Sequence, residues 1–153
     1  MMRYDKRGRK RGRESGVALV EAMIAIMVFS FGILGLLGVQ ANAIKIILSS
    51  KARADAGNLA DQMVGQMWAD RQNLATYAHQ PNGAAACAPS GAVSTNPAVT
   101  TWLAALNTSL PGAQPGLQQI SIGANNLVRV TICWKLPQES VTHSFSETAQ
   151  ING

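Results

Sequence analysis

Charge, histidine and cysteine are all scarce in this chain of 153 residues. Charged side chains make up 14% and are unevenly placed: residues 1–16 hold seven bases (Arg3, Lys6, Arg7, Arg9, Lys10, Arg11, Arg13) against Asp5 and Glu14. Residues 17–153 hold six bases and six acids, so the net charge of +5 belongs to one short arm. The body carries no basic face, and no nucleic-acid partner is expected. The two histidines, His79 and His143, stand far apart without metal-ligand spacing; His143 alternates with Val141 and Phe145 as a strand residue does. Two cysteines, Cys87 and Cys133, cannot make a CxxC or zinc pattern. No G-x-S-x-G elbow, P-loop or dinucleotide fingerprint occurs, and the acids beyond residue 16 are scattered without a catalytic pair. Nothing in the residues predicts an enzyme, a bound metal or a cofactor.

Apolar residues are abundant instead, at 47%, too many for a disordered chain, and the length suits one domain. Residues 17–39, VALVEAMIAIMVFSFGILGLLGV, are interrupted only by Glu21 and Ser30. As a helix these 23 residues would span roughly 34 Å, enough for a bilayer core of ~30 Å. The seven bases before the run, against Lys45, Lys51 and Arg53 after it, predict a cytoplasmic N-terminus and a body beyond the cytoplasmic membrane. A cleaved secretory signal would use Ala41-Asn42-Ala43, yet its apolar core should be ~7–15 residues and free of acids. A plain anchor fits the length but leaves Glu21 without purpose, although an acid costs ~2.5–3.5 kcal/mol at the centre of a membrane helix and less near its end.

Ser15-Gly16-Val17-Ala18-Leu19-Val20-Glu21 resembles the class III signal of type IV prepilins: a basic leader ending in Gly, then an apolar helix with Glu at its fifth residue. The resemblance implies cleavage by prepilin peptidase between Gly16 and Val17 and methylation of the new amine on Val17, where the family most often has Phe. It also implies an assembly role for Glu21, whose carboxylate would meet the amine of Val17 or of a neighbouring subunit. Phe29 to Gln40, FSFGILGLLGVQ, is similar to the glycine-punctuated stretch of PilV-type minor pilins. Gly32, Gly35 and Gly38 each cost a helix ~1 kcal/mol relative to Ala; they suit close helix packing or local melting, and equally are ordinary glycines of a membrane helix.

Beyond Ala41 the helical pattern turns amphipathic and is expected to run to His79. Ile44, Ile47, Leu48, Ala52, Ala56, Leu59, Met63 and Met67 recur every three or four residues; Leu74 follows after a gap of seven, and Pro81 stops the pattern. Met63, Met67 and Trp68 read as core packing. Residues 80–116 are loop-like, with a short helix over Ala98–Leu110 that turns Trp102, Leu103 and Leu106 inward before Pro111-Gly112. Residues 117–153 predict an antiparallel meander: Leu117–Ile122, a hairpin at Gly123-Ala124-Asn125-Asn126, Leu127–Leu136, and a more polar Val141–Ile151. In the middle strand Val128, Val130, Ile132, Trp134 and Leu136 share the buried face, with Arg129, Thr131, Cys133 and Lys135 opposite.

The expected fold is therefore α+β and pilin-like, a long N-terminal helix packed against a small three-stranded antiparallel sheet. Its parts are a leader (1–16), a membrane or filament-core segment (17–40), an amphipathic periplasmic segment (41–79), the loop with its short helix (80–116) and the meander (117–153). An extracytoplasmic body and an even cysteine count predict a Cys87–Cys133 bond, worth roughly 4 kcal/mol in the chain-entropy model. It departs from the common pilin bond, which closes a loop near the C-terminus. The resemblance implies a minor pilin, held as a single-pass protein in inner-membrane lipid and then carried in a surface pilus. Its partners would be prepilin peptidase, the major pilin, other minor pilins and the pilus assembly machinery of the inner membrane. A minor pseudopilin of type II secretion shares these features. A membrane-anchored periplasmic binding or enzymatic domain is the rival from another class.

Overall fold

The computed structural model describes residues 15–83, 85–137 and 139–152; the bases of the leader, Arg3 to Arg13, lie outside the described residues. The chain divides into two compact units, Met1–Lys45 and Ile46–Gly153. Helix α1 (Ser15–Ala69) is followed by a 3-10 turn (Arg71–Tyr77), helix α2 (Pro97–Ser109), and strands β1 (Gln119–Ile122), β2 (Leu127–Trp134) and β3 (His143–Gln150). No proline precedes Pro81, so nothing in α1 removes a backbone donor along its 55 residues.

In the second unit, the later part of α1 packs against a three-stranded antiparallel sheet in the order β1-β2-β3. The register sets Ile120 opposite Val130, and Val130 opposite Glu147. Burial on α1 begins at Ala52 and continues through Ala56, Leu59, Met63 and Met67, whereas Ile44, Ile47 and Leu48 are exposed despite sharing the same spacing. Trp68, expected in the core with the two methionines, is 42% exposed. It follows Met67 by 100° around the helix and so leaves the buried stripe.

The α-helix also stops earlier than the amphipathic pattern suggested. Asp70 leaves helical geometry, with φ −115° and ψ 39°. Its carboxylate accepts hydrogen bonds from Asn73 Nδ2 (2.7 Å) and from the Tyr77 hydroxyl (3.2 Å). The tighter turn that follows eclipses residues three apart and so aims both Leu74 and Tyr77 at the core. The seven-residue gap between Met67 and Leu74 marks this change of helix type. Burial raises the Tyr77 phenol above its ordinary value, and the hydrogen bond and charge of Asp70 add to the effect.

Helix α2 begins one residue before the expected Ala98, because Asn96 caps it and Pro97 occupies the first turn. Trp102 Nε1 donates to the Leu59 carbonyl at 2.8 Å, anchoring α2 on α1. Gly112 ends this stretch at φ +63°, where a Cβ would stand 2.8 Å from the Lys135 carbonyl oxygen. The three strands form as expected but are trimmed at their ends. The inner face of β2 is buried throughout, and Thr131 and Cys133 on its other face are buried as well.

Candidate functional site

The residues singled out near the N-terminus lie on one exposed helical surface. Gly16 and Val17 stand in the first turns of α1, and Glu21 lies one turn beyond Val17 on the same side. Val17, Val20, Glu21, Ile24 and Ala25 line a shallow groove there. Among the described residues nothing pairs with the Glu21 carboxylate by hydrogen bond or salt bridge. Nineteen large apolar side chains between Val17 and Leu48 are exposed, including Phe29 at 69%. A contiguous surface of this kind far exceeds the few hundred Å² that a soluble monomer tolerates. The helix is long and apolar enough to cross a membrane. Gly32, Gly35 and Gly38 have nothing within 4 Å of a would-be Cβ, so that side of the helix is open to close approach by another helix.

The second unit carries polar chemistry turned to structural use. Cys87 and Cys133 are bonded, with Cα atoms 5.7 Å apart. The bond draws the loop over the outer face of β2, which is why Cys133 is buried on a side where alternation alone predicts exposure. His79 is buried: its Nδ1 accepts from the Ser94 amide and its Nε2 meets the Pro115 carbonyl, both at 3.2 Å. His143 lies in β3, stacked on Trp134 at 5.8 Å between ring centres, with Nε2 2.6 Å from Glu139 Oε2. The two histidines are thus engaged in separate contacts. Among the described residues no group of three or more His, Cys, Asp or Glu side chains is placed to hold a metal.

Sequence reasoning missed Gln118 and Glu147. Gln118 is fully buried; its Oε1 accepts from the Cys133 amide (2.8 Å) and its Nε2 donates to the Cys133 carbonyl (3.0 Å). This side chain stands in for the backbone of Leu117, which continuation of the β1–β2 register would place opposite Cys133. The ladder therefore ends at Gln119 rather than at the expected Leu117. Glu147 Oε2 is shut off from solvent without a hydrogen-bond partner among the described residues. A glutamate in an alternating polar strand gives no sequence signal of such a place. No known protein family matches the chain, and no curated protein and no solved structure matches it either.

Proposed function

We propose that this protein is a minor pilin, a non-enzymatic assembly subunit of a type IV pilus, cut after Gly16 by prepilin peptidase and methylated on Val17. The observation that carries this reading is the exposed apolar surface of α1, with one unpaired acid five residues into it and a folded unit that buries its own core. Such a helix needs apolar surroundings along its length. Lipid of the inner membrane would supply them first, and the packed helices of the major pilin and other minor pilins afterwards. Fully burying each large side chain is worth ~1.5–3 kcal/mol, so transfer from lipid to helix bundle keeps what exposure to water would forfeit.

Glu21 supplies register in this scheme. An isolated carboxylate in apolar surroundings is driven to protonate or to find a cation. Cleavage creates one, the amine of Val17, on each subunit. An incoming helix is then best satisfied where its acid meets a neighbour's terminus, and the inner-membrane assembly machinery would deliver it there.

Mass spectrometry of the mature protein should show a chain of 137 residues beginning at methylated Val17. Gly16→Val should leave the precursor uncut, because the peptidase must approach the backbone closely at that bond. Glu21→Ala should be cut normally yet be lost from sheared surface filaments. Cleavage after Ala43 would overturn the reading. Recovery of wild-type protein only with a type II secretion complex would replace it with the pseudopilin one.

A further inference from the structure

Strand β3 meets α1 along one row of side chains. His143, Phe145, Glu147 and Ala149 are half-buried, while Ser144, Ser146, Thr148 and Gln150 are exposed. The tip of the Phe145 ring comes within 3.8 Å of the place a Cβ would occupy on Gly57, which locates this row over the helix. Two residues further along a strand is ~6.8 Å, and one turn further along a helix is ~6 Å. These nearly equal steps carry Glu147 from Gly57 to Asp61.

Two acids therefore face each other across the contact between helix and strand. Glu147 Oε2 is closed to solvent, and among the described residues no N–H or O–H group donates to it. Burial, followed by the charge and the hydrogen bond of Asp61, raises the Glu147 carboxyl above its ordinary 4.5. Among the described residues no cation is paired with either acid. Opposite Glu147 on β2 is Val130, while its neighbours Arg129 and Thr131 pair with Thr148 and Ser146 on the other face. On its own strand, His143 is engaged by Glu139. On α1, Lys51 is engaged by Asp55, and α2 holds no charged residue. Asp61 is exposed and Glu147 half-buried, so the cost of the close approach falls on Glu147: a proton kept on its carboxyl removes the repulsion and gives Asp61 a donor.

We propose that Asp61 and Glu147 form a one-proton latch between α1 and β3, closed while Glu147 holds its proton against the Asp61 carboxylate and loosened when Glu147 ionises. Since the folded chain binds this proton more tightly than the unfolded chain, the stabilisation is complete below the ordinary carboxyl range. It is lost as pH rises through the folded-state value. The strand released is the one at the free edge of the sheet, and its departure uncovers one hydrogen-bonding edge of β2.

Hydrogen exchange on the full chain in detergent micelles tests the latch, with protection corrected for the intrinsic pH dependence of exchange. Between pH 5 and 8, β3 amides should lose protection several-fold while amides shared by β1 and β2 hold theirs. Glu147→Gln should flatten the loss, and Asp61→Asn should do the same if the first variant folds poorly. Glu139→Gln, which touches only the His143 contact, should leave the loss in place. A loss that persists in both Glu147→Gln and Asp61→Asn, or a wild-type β3 whose protection does not change, would overturn the proposal.

Discussion

At the scale of the residue, the most consequential side chain of the folded unit is an amide that imitates a peptide group. Gln118 answers both the N–H and the C=O of Cys133, and its Nε2 also reaches the Gln114 carbonyl at 2.9 Å. Gln118→Ala removes these partners while Cys133 stays fully buried. An orphaned buried backbone group costs ~1–3 kcal/mol, so the variant should lose about 2–4 kcal/mol in urea denaturation. Gln118→Glu keeps the acceptor for the Cys133 amide but turns an oxygen on the Cys133 carbonyl. It should therefore be no better than alanine at neutral pH and partly recover in acid, as the carboxyl gains a proton to donate.

Among the elements, α2 shows how a short helix is held from both its end and its side. Asn96 Oδ1 accepts from the Ala98 amide at 2.9 Å, and its Nδ2 donates to Thr76 Oγ1 at 2.8 Å, tying the cap to the 3-10 turn. Asn96→Ala should cost about 1 kcal/mol or somewhat more. Asn96→Asp keeps the cap and loses the tie, so its cost in thermal or urea unfolding should fall between alanine and wild type. Local patterns made most of these elements legible. The spacing of Leu59, Met63 and Met67, the alternation of Val128 to Trp134, and the apolar face of α2 at Trp102, Leu103 and Leu106 each act within a few residues of one another. What escaped depends on partners distant in sequence. Asp70 ends the α-helix through bonds that reach forward to Tyr77, Cys133 is buried where Cys87 is bonded to it, Thr131 meets the Ser146 hydroxyl on β3, and Glu147 answers to Asp61. The N-terminal residues Gly16, Val17 and Glu21 are contiguous, so a helix places them without tertiary help. Among the described residues nothing pairs with Glu21, and under the proposed function its partner is another molecule, whose geometry no pattern in this chain specifies.

For the whole molecule, the division of labour follows from where apolar surface is spent. The buried core runs from Ala52 to Ile151, entirely within Ile46–Gly153, while the exposed apolar surface runs from Val17 to Leu48. The core lies wholly in the second unit, while the exposed stretch covers the first and continues into the opening residues of the second, Ile46, Ile47 and Leu48. The Cys87–Cys133 bond has a further consequence for a chain under tension. Pulled between α1 and its C-terminus, the chain would pay out link by link wherever noncovalent contacts yield. The bond bypasses 46 residue steps, which at ~3.5 Å each is roughly 160 Å of slack that force cannot draw out. Single-molecule stretching of the full chain should give an unfolding extension about 150 Å longer after reduction than before it; equal extensions would show that the bond bears no load. The crosslink thus works as a mechanical stop: a pulled chain can still yield on either side of it, but the length between Cys87 and Cys133 stays locked.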